Sequence, residues 1–250
     1  MQVIVDNILT SYKKYGSGKK VILCLHGWSD STEGFATLEK FSPDKYTTVL
    51  LDLPGFGGSG RPPQDWGLPE YGRFVGKFLQ KIDRAPSAVI GHSNGGAIAI
   101  FAVGTSIIYP EKLILIASSG IRTSTSLKKT LHMILAKIAK LLIFFLPKRT
   151  QKTIKKKLYT KIGSDYMVIE ELQDVFRRIV SYDILEDAKR VKTPTLLIYG
   201  SNDFVTPLWQ AEKIAGAIKD SKLEVIEGAE HFPHKDQPGK VKNLIEEFLK

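Results

Sequence analysis

The sequence predicts an α/β fold: a mostly parallel sheet with helices on both faces and an inserted all-helical segment. Three observations predict it. Short apolar runs alternate with segments of helix length, the pattern of parallel strands buried on both faces. Most runs stop at Gly, Ser, Asn, Asp or Pro, which places turns at the strand ends. The alternation breaks once, over residues 121–189, and then resumes. The 250 residues therefore divide into one core, 1–120 with 190–250, and an insertion, 121–189.

Residues 3–5 and 8–15 read as an opening antiparallel pair. Residues 20–25 read as a buried strand ending at His26-Gly27-Trp28. Residues 47–51 read as another, ending at Asp52-Leu53-Pro54-Gly55-Phe56-Gly57-Gly58-Ser59. A strand over 87–90 leads into Gly91-His92-Ser93-Asn94-Gly95-Gly96, with a helix expected from Gly95 to about Gly104. Residues 112–117 stop at Ser118-Ser119-Gly120. The insertion carries three expected helices. The first, 127–146, is ended by Pro147, and the second, 151–159, is strongly basic. The third, 164–182, has Asp165, Glu170 and Glu171 early and Arg177 and Arg178 late, as the helix dipole favours. The sheet resumes with a strand over 195–199 and then Gly200-Ser201-Asn202-Asp203. A helix over 208–218, a last strand over 222–226, a loop over 228–238 and a closing helix over 241–250 complete the chain.

The net charge of +10 is concentrated. Residues 121–164 hold twelve Lys or Arg and no Asp or Glu, while the remaining 24 basic and 26 acidic residues nearly balance. The single Cys24 lies in an apolar run. It excludes an intrachain disulfide framework and a cysteine-rich zinc site. The longest apolar run, 141–146, is too short to span a bilayer. The opening Met-Gln-Val-Ile-Val-Asp lacks a basic region followed by a long apolar stretch, so a cytoplasmic location is expected.

Ser93 sits between glycines at a strand end. Such a turn is too sharp for a Cβ at its flanks, and it lifts the hydroxyl above the sheet. A serine hydroxyl is barely ionised near neutral pH, so a nucleophile there needs a base, and the base needs an orienting carboxylate. Asp203 lies four residues beyond the 195–199 strand and His231 lies in the loop after the last strand. All three thus fall at the carboxyl ends of parallel strands, where ligands of such sheets gather. Asn202 competes with Asp203 as a loop residue, and Asp203 could instead cap the next helix. His234 rivals His231, which is preferred because it lies nearer the strand end. His92 is expected to pack or hydrogen-bond behind the turn, and His132 to be a surface or cap residue. An oxyanion would need two donors, the backbone amides of Asn94 and Trp28. His26 is expected to satisfy nearby backbone carbonyls.

Taken together, the His26–Trp28, Asp52–Ser59 and Gly91–Gly96 blocks, Gly200-Ser201-Asn202-Asp203 through Pro207, and Gly228-Ala229-Glu230-His231-Phe232-Pro233 resemble the α/β-hydrolase superfamily of the lid-bearing, fold-1 kind. The likeness covers nearly the whole chain. Epoxide hydrolases and haloalkane dehalogenases carry aspartate at the nucleophile position, so serine at 93 argues against both. The His26–Trp28 and Asp52–Ser59 blocks are also similar to the carboxylesterases that cleave pimeloyl-carrier-protein methyl ester. The resemblance implies a serine hydrolase cleaving carboxylic esters or thioesters through an acyl-enzyme on Ser93. A carbon–carbon bond hydrolase, a monoacylglycerol lipase or a perhydrolase would use the same residues, and a non-enzymatic ligand receptor is the alternative of a different class. No metal or organic cofactor is expected. The basic insertion falls where lids are placed; its charge reads first as an ordinary solvated face, and it would also suit an acidic carrier protein or an anionic membrane surface. Nucleic acid is not expected, because no basic motif is interleaved with aromatics.

Overall fold

A computed structural model of the chain describes residues 1–38, 45–122 and 170–250. Its strands are β1 (Gln2–Val5), β2 (Ile8–Tyr15), β3 (Lys20–Leu25), β4 (Tyr46–Leu51), β5 (Ala88–His92), β6 (Lys112–Ile116), β7 (Thr195–Gly200) and β8 (Ser221–Ile226). They form one sheet in the order β1-β2-β4-β3-β5-β6-β7-β8. β2 pairs antiparallel with β1 and β4, and every pairing from β4 to β8 is parallel. Each strand falls within two residues of its expected position.

The continuous apolar run of β3 has a direct cause. Val21, Leu23 and Leu25 point into one core, and Ile22 and Cys24 into the other, so neither face meets water. The larger core is closed by helices α1 (Leu68–Lys81) and α2 (Asn94–Gly104). It is shared by α3 (Gln173–Ser181), α4 (Leu185–Arg190) and α5 (Leu208–Ala217), which bury Val175 and Ile179, Ala188, and Ala211 and Ile214. The smaller core lies under Phe35, Leu38 and α7 (Pro238–Phe248), through Val241 and Ile245.

Three differences from expectation have local reasons. The expected 228–238 loop contains a short helix, α6 (Pro233–Asp236), and α7 begins at Pro238 rather than 241. Each starts on a proline, whose fixed φ suits the first helical turn. The described part of the third expected helix is a 3₁₀ turn, Glu170–Leu172, followed by α3, and α4 forms beyond its expected end. The helices expected over 127–146 and 151–159, and His132, lie outside the described residues.

Candidate active site

β5 delivers the chain into a turn that only glycine flanks permit. Ser93 takes φ 50° and ψ −116°, a conformation that costs a side-chain-bearing residue roughly 1–3 kcal/mol. A Cβ on Gly91 would stand 2.6 Å from the Gly95 carbonyl oxygen, and one on Gly95 would stand 2.0 Å from that of Leu25. The turn is pinned to the sheet. The Ser93 amide donates to the Ile116 carbonyl at 3.0 Å, and the Ser119 amide donates to the Ser93 carbonyl at 3.1 Å.

Two later loops bring their polar side chains to this serine. His231 Nε2 lies 3.1 Å from Ser93 Oγ, and His231 Nδ1 lies 2.9 Å from Asp203 Oδ2. Asp203 Oδ1 accepts the Val205 and Thr206 amides at 2.8 Å each, and the Thr206 hydroxyl donates to Oδ2 at 2.6 Å. The Asp203 side chain is fully buried. Burial alone would raise its carboxyl. The His231 hydrogen bond and charge, with the Thr206 donors, outweigh that and hold it below the usual aspartate value. Asp203 therefore also closes its own turn, but it does not cap the next helix: α5 begins after Pro207 with no side-chain cap, so the capping alternative is not what the structure shows. Thr206 was not singled out in the sequence. The signal for it is a hydroxyl three residues after an aspartate in a strand-end turn.

The loop after β3 supplies the next part. His26 Nε2 accepts the Leu53 amide at 2.9 Å, so Nδ1 carries the proton and donates to the Gly27 carbonyl at 2.7 Å. The buried ring thus meets one carbonyl and one amide rather than carbonyls alone. Burial lowers its pKa, which keeps it neutral. A peptide unit is planar and trans, so fixing the Gly27 carbonyl toward His26 turns the Trp28 N–H the opposite way. Among the described residues neither the Trp28 nor the Asn94 amide donates a hydrogen bond. A side chain at Gly27 would be tight, since its Cβ would lie 3.0 Å from His92 Nδ1 and 3.2 Å from the Ser93 Cβ, and both would have to give slightly.

His92 lies behind the turn, with Nε2 donating to the His231 carbonyl at 3.0 Å. His234 does not approach Ser93. It is buried against Phe35, with Nε2 donating to the Gly34 carbonyl at 3.2 Å. Burial first, then the Lys235 charge, pushes the His234 imidazole down to about 4, and burial lowers His92 well below the ordinary value. Between those pH values the unfolded chain binds the proton and the folded chain does not. Stability is therefore full above about pH 6.5 and falls as pH drops toward about 4, by roughly 3 kcal/mol for His234. Urea unfolding across that range should show a shallower decline in His234→Gln than in the parent chain. Equal declines would mean that His234 does not carry the effect.

Ser93 and His231 open into a cavity of about 310 Å³. Leu68, Ala97, Ile121, Phe176 and Ile179 form much of its wall, and Asp30, Ser119 and Gln210 add polar groups. Phe176 of α3 packs on Trp28 with ring centroids 4.9 Å apart. Among the described residues no cluster of three or more His, Cys, Asp or Glu is placed to hold a metal ion, and no helix is long and apolar enough to cross a membrane.

Known proteins resemble the chain in sequence and fold. The family model described as the alpha/beta hydrolase family matches residues 22–244. The monoacylglycerol lipase ABHD6 of Bos taurus is 26% identical over 266 residues, covering 96% of this chain and 78% of that protein. Among solved structures, a membrane phospholipase A described as a bacterial virulence factor superposes with a TM-score of 0.74 at 22% identity, over 100% of this chain and 84% of that one. A meta-cleavage product hydrolase from Pseudomonas fluorescens IP01 gives a TM-score of 0.72 at 18% identity, over 99% and 96%.

Proposed function

The chain belongs to the alpha/beta hydrolase family, and from that premise we propose that it is a serine hydrolase of carboxylic esters or thioesters. The observation that carries the reading is the relay of Ser93, His231 and Asp203 at a cavity wall. Ser93 Oγ attacks the acyl carbonyl while His231 Nε2 takes its proton. Asp203 accepts a hydrogen bond from Nδ1–H and stays ionised, which fixes the tautomer and stabilises the imidazolium. The tetrahedral oxyanion is received by the Trp28 and Asn94 amides, each such donor worth about 3 kcal/mol. His231 returns the proton to the leaving alcohol or thiol. Water, activated by the same histidine, then releases the acid and frees Ser93.

The substrate is a fatty acyl ester, of which a monoacylglycerol is the best-supported example. Two things favour it: the aliphatic wall facing Ser93, and the lipase activity in the name of the bovine relative. The 121–189 insertion is read as the lid of this site, and its described helix α3 contributes Phe176 and Ile179 to the wall. A cytoplasmic location suits the single buried thiol of Cys24. The test combines a fluorophosphonate probe with a substrate panel. The probe should label Ser93 alone, and kcat/KM should be higher for a monoacylglycerol than for an acyl thioester of equal chain length. Labelling elsewhere, or none, would remove the nucleophile. Preference for the thioester would move the substrate class while leaving the chemistry.

A further inference from the structure

The turn after β7 holds the two oxygens of Asp203 in different ways. Oδ1 takes the Val205 and Thr206 amides at 2.8 Å each, and these bonds close the turn. The Thr206 hydroxyl goes instead to Oδ2, at 2.6 Å, and Oδ2 is the oxygen that faces His231 Nδ1 at 2.9 Å. The same hydroxyl oxygen stands 3.3 Å from that Nδ1 and 3.1 Å from the Ala117 carbonyl oxygen. A hydroxyl carries one proton, and an ionised carboxylate at the shorter distance outcompetes a carbonyl for it. The lone pairs of Oγ1 are then left for the Nδ1–H. Thr206 is 2% exposed, so bulk water does not compete for these partners. The local sequence prepares the geometry. Pro207 follows Thr206 and biases its backbone toward extended conformations, and the β-branch restricts χ1. The stretch it rests against also pins the nucleophile, since Ser93 is bonded to Ile116 and Ser119, on either side of Ala117.

We propose that Thr206 is a positioning residue of the relay. Its hydroxyl holds Asp203 Oδ2 against His231 Nδ1, and this keeps Nε2 directed at Ser93 Oγ. Thr206 exchanges no proton with the substrate. It restricts carboxylate and ring to the alignment from which His231 takes the Ser93 proton, an alignment set before substrate arrives. This role is distinct from closing the turn, because both amide bonds to Oδ1 remain when the hydroxyl is removed. It rests on the serine hydrolase reading.

The test is steady-state hydrolysis of p-nitrophenyl butyrate by the full chain and its Thr206 variants. Thr206→Val keeps the shape and loses the hydroxyl. It should lower kcat by about tenfold while KM changes by less than about twofold. Thr206→Ser restores the hydroxyl and should return kcat to within about threefold of the parent. In an Asp203→Asn background, Thr206→Val should cost less than about twofold more, because the hydroxyl acts through the carboxylate. If the valine variant does not fold, Thr206→Ala takes its place with the same expected losses. An unchanged kcat in Thr206→Val would overturn the proposal. So would an equal loss in Thr206→Ser, or a further tenfold loss on top of Asp203→Asn. A parent chain that hydrolyses no ester and resists the fluorophosphonate probe overturns the hydrolase reading, and the role of Thr206 with it. An active parent with an indifferent Thr206→Val overturns the role of Thr206 alone.

Discussion

Ser93→Ala is expected to lower kcat for p-nitrophenyl butyrate by a factor on the order of 10⁵, with little change in KM. The reason is that, among the described residues, only Ser93 places its hydroxyl within hydrogen-bond reach of His231 Nε2. His231→Ala should cost about as much, and the double variant should be no worse than either single one, because nucleophile and base act as a unit. Asp203→Asn should cost on the order of 10⁴, since an amide at 2.9 Å from Nδ1 favours the wrong tautomer. His234→Gln should keep most activity, because that ring is turned toward Phe35 and the Gly34 carbonyl. Steady-state kinetics on the purified variants decide it. Full loss in His234→Gln with activity kept in His231→Ala would exchange their roles.

Gly95→Ala is expected to have the largest effect on stability. Its Cβ would stand 2.0 Å from the Leu25 carbonyl oxygen and 2.5 Å from the carbonyl carbon. Leu25 cannot withdraw, because β3 is hydrogen-bonded between β4 and β5 and Leu25 is paired with Leu51 and Gly91. A backbone clash so confined should destabilise the fold by about 3–5 kcal/mol and lower Tm by roughly 10 °C or more. Gly239→Ala is the matching control, since a Cβ there meets nothing within 4 Å. Thermal unfolding followed by circular dichroism should separate the two variants. A Gly95→Ala protein melting with its parent would show that the elbow tolerates a side chain.

Much of this architecture was legible because burial on both faces leaves an unambiguous sequence mark. β3, β5, β6 and β7 are continuous apolar runs with turn residues at their carboxyl ends, and those ends are where Ser93 and Asp203 stand. The sequence marks α1 less plainly. Its buried positions 68, 71, 74, 75, 78 and 79 follow helical spacing, but Gly67, Pro69, Gly72 and Gly76 make the stretch read as turn-rich. Thr206 escaped because its role depends on the turn closing back on Asp203, which local pattern does not encode. His26 was expected to meet carbonyls, and the Leu53 amide at Nε2 comes from a strand end 27 positions away. The substrate was not legible either. The His26–Trp28 block resembles enzymes acting on a pimeloyl methyl ester, whereas the bovine relative is a monoacylglycerol lipase. Motifs that mark a superfamily point to its chemistry and leave the acyl chain open.

β6 and β7 are hydrogen-bonded neighbours, Leu113 beside Thr195 through Ile116 beside Ile198, although the whole insertion lies between them in sequence. The entropic cost of closing such a connection grows only logarithmically, by about 0.6 kcal/mol for each doubling of its length. Lineages are therefore free to lengthen, shorten or exchange that stretch while the sheet stays in register. A single scaffold can in this way acquire new substrates by grafting at one seam, leaving its reacting atoms where they were.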